Sequence, residues 1–182
     1  LTISDIDVDG TFLLEEICKV NSSISELHLN HLNFDTPLNL NDDQNPLNLP
    51  HNIVLLDLSH STFKNVSMAS LLQLITKDNG DESSNLIVNM NHLEPKENTF
   101  IKAFKSVDLQ KCKSNIFYFN WSGNNLSPEF FNFIEKQKKN LKFLSLLDLN
   151  VEKQNGFFQA LMKFLLNSDL FGIEIGCNSF DP

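Results

Sequence analysis

The sequence predicts an α/β fold: a curved, right-handed solenoid with a parallel β-sheet on its concave face and α-helices on its convex face. Two observations lead to this prediction. One frame of apolar positions recurs at intervals of about 28 residues, a length that holds a strand, a turn, a helix and a return loop. Amphipathic segments with helical spacing separate the copies. Crossovers between parallel strands are right-handed, which sets the hand of the solenoid.

The recurring frame is an apolar residue, two arbitrary residues, an apolar residue, one arbitrary residue and an apolar residue, followed by further apolar or Asn positions. Its clearest copies are residues 116–126, 141–151 and 170–180. The seven copies begin at Ile3, Ile24, Ile53, Asn85, Ile116, Leu141 and Leu170. The frame resembles that of leucine-rich repeats, in the long class with helices on the convex side. We therefore expect residues 1–182 to form one leucine-rich-repeat domain, a fragment of about seven repeats that more repeats or domains of the parent chain would extend.

Four segments between the copies predict helices. Apolar residues at helical spacing follow Ser67 and Thr99, each of which we expect to cap a helix. Ser127, Pro128 and Glu129 form a helix start, because a capping hydroxyl precedes a proline at the first helical position and an acidic residue in the first turn. The last predicted helix is lined by Phe157, Leu161, Phe164 and Leu165.

Residues 35–52 interrupt the pattern. They contain Pro37, Pro46 and Pro50, and three prolines are incompatible with a long helix. The segment predicts an irregular loop in place of the helix of the second copy. Such a loop is either a protrusion that binds a partner or a tolerated surface insertion.

Side chains between the core positions are predicted to point to the concave face, where equivalent positions of neighbouring strands align in rows. The first row is Asp5, Glu26, Leu55, Ile87, Tyr118, Phe143 and Gly172, and we call its four central members, from Leu55 to Phe143, the apolar row. The second row, called the polar row, is Asp7, His28, Asp57, Asn89, Asn120, Ser145 and Glu174. The third, called the histidine row, is His31, His60 and His92.

Each row has more than one interpretation. The apolar row either binds a partner or is covered by another part of the parent chain. Together with Asp5, Asp9 and Glu26, the polar row predicts an acidic N-terminal flank, which would suit a basic partner surface. The histidine row could hold a metal ion, respond to pH, or place polar side chains at a corner where they bond to backbone; we predict the third and no metal.

Composition excludes several functions. The net charge is −9, and all 14 basic residues are Lys, which argues against binding to nucleic acid or to an anionic membrane. No apolar run is long enough to cross a bilayer. Cys18, Cys112 and Cys177 form no close pair, which favours a reducing, cytoplasmic location. No Gly-rich phosphate loop or nucleophile elbow is present, so we expect a non-enzyme without cofactor.

The stretch Asn120–Phe131 contains a strand end, a Ser-Gly turn and a Ser-Pro-Glu helix start. It resembles the intracellular, ribonuclease-inhibitor-like class of repeats, and within that class the CARMIL proteins. That resemblance implies a cytoskeletal scaffold. We predict a non-catalytic interaction module that binds a protein partner through its concave face; the alternative is a regulator of an enzyme such as a small GTPase. The predicted contact residues are Leu55, Ile87, Tyr118, Phe143, Asp57, Asn89, Asn120, Glu26 and His28.

Overall fold

The computed structural model describes residues 1–20, 23–40, 46–77, 85–95, 100–149 and 157–176. The strands within these ranges are β1 (Thr2–Ser4), β2 (Glu26–Asn30), β3 (Asn33–Phe34), β4 (Leu55–Asp57), β5 (Thr62–Phe63), β6 (Leu86–Asn89), β7 (Glu94–Pro95), β8 (Ile116–Asn120), β9 (Phe143–Leu147) and β10 (Gly172–Gly176). The helices are α1 (Gly10–Lys19), α2 (Asn65–Ile75), α3 (Ile101–Ser106), α4 (Pro128–Gln137) and α5 (Phe157–Leu166).

Seven of the strands form one parallel sheet whose order follows the chain, β1-β2-β4-β6-β8-β9-β10. The predicted α/β class is therefore confirmed, with helices between parallel strands. The core positions of neighbouring strands pair directly: Leu27, Leu56, Val88, Phe119, Leu144 and Ile173 lie side by side. All of them except Ile173 are buried.

A second, smaller sheet was not predicted. Strands β3, β5 and β7 follow β2, β4 and β6 after a short turn and pair in parallel in that order. The rings of Phe34 and Phe63 stack in this sheet, with centroids 4.4 Å apart. Two-residue strands of this kind carry too few residues to show a periodic pattern in the sequence.

The hydrophobic core lies between one face of the large sheet and the helices. Apolar side chains from α1 to α5 join the strand residues in one cluster. Around Trp121 this cluster is aromatic, because the rings of Phe100, Phe104, Phe119 and Phe130 lie within 6 Å of the indole. Trp121 is fully buried, and its indole N–H donates to the carbonyl of Asn125 at 3.0 Å. Trp121 is therefore a packing residue of the core.

The helix starts were predicted with mixed success. Helix α4 begins at Pro128 after Ser127, as expected, but the hydroxyl of Ser127 makes no capping hydrogen bond. Helix α2 begins earlier than predicted, after Lys64, and Ser67 lies inside it. The hydroxyl of Ser67 donates to the carbonyl of Phe34 at 2.6 Å, so it ties the helix to the small sheet instead of capping it. Thr99 lies outside the described residues.

The predicted frame is wrong at the first copy. Thr2 pairs with His28 and Ile3 with Leu29, so Asp5 and Asp7 are not members of the first and second rows. Asp9 instead precedes helix α1, and its carboxylate accepts the N–H of Thr11 at 2.9 Å. The fourth copy also needs a correction, because Leu86 is buried and pairs with Ile116, whereas Asn85 is exposed.

The described parts of the predicted loop, residues 35–40 and 46–52, contain neither helix nor strand. They pack on the core, with Leu38, Leu47 and Leu49 buried. The backbone N–H of Leu38 donates to the hydroxyl of Ser70 at 2.8 Å, and Lys77 donates to the carbonyl of Leu47 at 2.8 Å. These segments therefore cover α2 in the place of a helix, and the description of this loop as a protrusion is wrong for them.

Candidate interaction surface

The face of the large sheet opposite the core carries the predicted rows, and we call it the open face. From β2 onward the register is as predicted for the first two rows. Glu26, Leu55, Ile87, Tyr118, Phe143 and Gly172 occupy paired positions on successive strands. His28, Asp57, Asn89, Asn120, Ser145 and Glu174 do the same two residues later. Strand spacing of about 4.8 Å makes each residue a neighbour of the next one in its row.

The apolar row is only partly covered. Leu55, Ile87 and Tyr118 are half-buried, and Phe143 is 38% exposed. Gly172 makes room for Phe143: a Cβ atom at Gly172 would lie 2.9 Å from the phenylalanine ring. The four side chains thus form a continuous apolar strip that ends where the ring of Phe143 covers the last strand.

Two further aromatic residues, which were not predicted, extend this strip. Phe117 and Phe171 each stand one position before the residues of the first row, and their rings contact Phe143 at 5.7 and 6.3 Å between centroids. Phe171 is 77% exposed, and the ammonium of Lys142 lies 5.4 Å from its ring. An aromatic residue one position before the first row was the available signal, but the frame treats that position as arbitrary.

Tyr118 sits at the centre of the open face. Its partial burial raises the pKa of the phenol, the carboxylate of Glu174 raises it further, and a hydrogen bond with Ser145 offsets part of the shift. The hydroxyl is therefore neutral at physiological pH. It supplies a polar group at the border between the apolar row and the polar row.

The polar row is organised around Asp57. Its Oδ1 accepts the N–H and the hydroxyl of Ser59, and its Oδ2 lies 3.2 Å from both His28 Nδ1 and Asn30 Nδ2. Burial raises the pKa of this carboxyl, but the hydrogen bonds from Ser59, His28 and Asn30 outweigh that effect, so the pKa is lowered. The carboxylate is thus held in one orientation by its neighbours.

The open face is rich in hydrogen-bond acceptors. The buried Oδ1 atoms of Asn30, Asn89 and Asn91 have no hydrogen-bond partner among the described residues. Buried acceptors without donors are unfavourable by about 1–3 kcal/mol each. The predicted acidic flank is smaller than expected, because Asp9 caps helix α1 and Asp5 is not in the first row. Glu26, with a side chain 62% exposed, remains near β2, and its Oε2 lies 3.9 Å from Nε2 of His28.

The histidine row lies at the carboxyl ends of the strands. The imidazole rings of His31, His60 and His92 are parallel and exposed, with centroids 5.1 and 5.2 Å apart. All three residues have positive φ angles, as do Asp5, Gly123 and Asp148. Their backbone N–H groups donate to the carbonyls of Ser59, Asn91 and Ser122. These histidines thus bond to backbone through their main-chain N–H groups, whereas hydrogen bonds from their side chains were predicted.

Neither a metal site nor a reactive thiol is found in the part of the chain that the structure describes. No group of three or more His, Cys, Asp or Glu side chains there is arranged to hold a metal ion. Burial and the nearby Glu15 raise the pKa of Cys18 to about 12, and burial also raises the pKa of Cys112. Both thiols are therefore protonated at neutral pH and poor nucleophiles. Cys177 lies outside the described residues.

Comparisons with known proteins add no identification. No protein-family model matches the chain, and neither a curated protein nor a solved structure does. Over the described ranges, no helix combines the length and the apolar character needed to cross a bilayer.

Proposed function

We propose that this chain is a leucine-rich-repeat solenoid and that it acts as a non-catalytic scaffold, binding a protein partner through its open face. The repeat frame and a parallel sheet that adds strands in chain order support the solenoid. In such an array the open face would be the concave one. A cytoskeletal setting is a further hypothesis that depends on the resemblance of Asn120–Phe131 to CARMIL-type repeats.

One observation carries the proposal: four consecutive strands place Leu55, Ile87, Tyr118 and Phe143 side by side on the face that the helices leave open. Burial of a large apolar side chain contributes about 1.5–3 kcal/mol. A continuous apolar strip with a polar border has the composition of a protein-binding surface, in which apolar and aromatic side chains supply affinity and polar neighbours supply orientation. The neighbouring Phe171 enlarges this strip.

The polar row supports binding better than catalysis. The carboxylate of Asp57 is fully engaged by His28, Asn30 and Ser59, so it does not stand free to act on a substrate. The alternative function, regulation of an enzyme such as a small GTPase, would need carboxylate or amide groups that reach a partner's active site. Addition of the chain to a panel of GTPases, with nucleotide hydrolysis as the readout, tests that alternative.

The test of the proposal compares two double variants. Tyr118→Ala/Phe143→Ala removes the centre and one end of the apolar strip. Phe12→Ala/Val66→Ala removes exposed apolar side chains from helices α1 and α2 and serves as the matched control. Affinity capture from a lysate of the source cells, with quantitative mass spectrometry, should recover partners with wild type and with the control but not with the first variant.

The first variant should remain folded, because both side chains are partly exposed and their removal leaves no closed cavity. We expect a change in melting temperature of about 3 °C or less for both variants. Capture of the same proteins by wild type and by Tyr118→Ala/Phe143→Ala would refute the proposed binding surface.

A further inference from the structure

Carboxylates stand at both ends of the apolar row. Glu26 precedes Leu55 in the first row, on β2. Glu174 lies on β10, two residues after Gly172, and its charge acts on Tyr118. Both glutamates are exposed. Across the strands, the apolar strip therefore has a negatively charged side chain on each side, Glu26 on β2 and Glu174 on β10.

The described residues of the two rows carry negative charge but no lysine. Among the described residues of the first row and the polar row, Glu26, Asp57 and Glu174 are acidic and none is Lys. Lys142 lies at the amino-terminal margin of the strands, against the ring of Phe171. A ligand that lies along the rows thus meets carboxylates at its two ends and, one strand from Glu26, the charge of Asp57.

The separation of the two glutamates sets a length. β2 and β10 are five strand spacings apart in the sheet, which corresponds to about 24 Å at about 4.8 Å per spacing. An extended peptide advances about 3.3–3.6 Å per residue. The distance between the two carboxylate positions is thus spanned by about seven residues of extended chain.

We propose that the partner of the open face is an extended protein segment that crosses the strands and carries two basic side chains about seven residues apart, with apolar side chains between them. The basic side chains pair with Glu26 and Glu174, and the apolar ones cover Leu55, Ile87, Tyr118 and Phe143. This inference rests on the proposed function and adds the chemistry and spacing of the ligand. Opposite charges at the rim of an apolar contact fix the register of the bound segment.

The experiment uses a phage-displayed library of random twelve-residue peptides. Selection on the wild-type chain is followed by removal of peptides that also bind Tyr118→Ala/Phe143→Ala. The remaining peptides should be enriched in pairs of Lys or Arg six to eight positions apart, with apolar residues between them. If the peptides that bind wild type but not the double variant lacked such pairs, this inference would be overturned and the proposed function would stand. If no peptide distinguished wild type from the double variant, the proposed function itself would be contradicted.

A synthetic peptide from the selection then tests each carboxylate. Glu26→Gln and Glu174→Gln should each weaken its binding about threefold in low salt, since exposed ion pairs contribute about 0.2–1 kcal/mol, and a rise in NaCl should weaken wild type more than either variant. Glu16→Gln, at an exposed position on α1 that pairs with Lys19, is the control and should bind as wild type does. Unchanged affinity in both Glu26→Gln and Glu174→Gln would overturn the assigned pairing.

Discussion

Two turns of the large sheet share a hydrogen bond and a left-handed residue at equivalent places but are built from different residues. One turn follows β4 and runs from Asp57 to Ser61; the other follows β8 and runs from Asn120 to Asn124. In each, the first side chain accepts the N–H of the residue two places on, Ser59 or Ser122, at 3.0–3.1 Å. In each, the fourth residue has a positive φ angle, 59° at His60 and 72° at Gly123.

The last residue of each turn bonds to the backbone of a neighbouring strand. Ser61 accepts the N–H of Leu32 and donates to the carbonyl of Leu29, each at 3.1 Å. Asn124 accepts the N–H of Leu93 at 2.7 Å and donates to the carbonyls of Met90 and Trp121 at 2.6 and 3.0 Å. Leu32 and Leu93 occupy equivalent places in the frame, as do Leu29 and Met90. Ser61 and Asn124 thus place a hydrogen-bonding group where other copies of the frame have Leu, as at Leu32 and Leu93. Asn124 makes one of these bonds more than Ser61 does.

The largest effect is expected from Asn124→Leu. Leu fills a similar volume, but it leaves the N–H of Leu93 and the carbonyl of Met90 without the bonds that Asn124 provides. Loss of several buried hydrogen bonds should lower the free energy of unfolding by about 3–4 kcal/mol, measured by urea denaturation. A loss below about 1 kcal/mol would mean that packing, and not hydrogen bonding, selects the residue at this place.

Gly123→Ala should come next. A Cβ atom at Gly123 would lie 2.2 Å from Nδ1 of His92, and the backbone there is left-handed. Strain in the left-handed region is about 1–2 kcal/mol, and displacement of the His92 ring adds to it, so we expect a loss of about 2–3 kcal/mol in the same assay. In a His92→Ala background, Gly123→Ala should cost less stability, by the part that displacement of the ring causes. Equal losses in the wild-type and His92→Ala backgrounds would exclude a contribution from that contact. His60→Gly, at the equivalent place of the other turn, should change stability by less than about 1 kcal/mol.

The sequence predicted much of this comparison. Alternation along the strands and the spacing of apolar residues indicated which side chains face the core, and the Asn place of the frame falls at Asn124 in the copy at residues 116–126. The left-handed residues were not expected, because a positive φ angle is uncommon in any residue except Gly, although Asn, Asp and His adopt it more often than the others. The start of the chain was misplaced, since Ile3 fits two places of the frame and only its pairing with Leu29 decides between them.

The candidate surface was also predicted only in part. Period-two alternation is enough to assign the rows from Glu26 onward, but it treats the residue one position before the first row as unconstrained. Phe117 and Phe171 therefore escaped the analysis, although their rings pack on Phe143. Asp9 was assigned to the surface because capping depends on where a helix begins, and α1 was not located from the sequence.

Ser61→Ala should have a smaller effect than Asn124→Leu. It removes two hydrogen bonds, to Leu32 and Leu29, and leaves a small hydrocarbon in their place. The expected loss is about 1.5–2 kcal/mol, by urea denaturation under the same conditions. Ser59→Ala, in the same turn but bonded to Asp57 nearer the surface, is the control and should cost less. If Ser61→Ala destabilised the chain as strongly as Asn124→Leu, the number of bonds would not explain the difference between the turns.

The smallest effect is expected from Asp57→Asn, which gives the first turn the residue that begins the second. The lowered pKa of Asp57 means that its ionised form stabilises the folded state. That contribution is present in full above the unfolded pKa of about 3.9 and is lost as the pH falls through the folded pKa. Asp57→Asn should therefore lower stability by about 1 kcal/mol at pH 7, and the gap to wild type should close as the pH falls below about 4. Glu129, whose pKa is also lowered, is common to both proteins and cancels in the difference. Asn120→Ala is the control, and its effect on stability should not change between pH 7 and pH 3, because an amide does not titrate. If the difference in stability between wild type and Asp57→Asn also stayed constant over this range, the charge of Asp57 would not be what distinguishes the two turns.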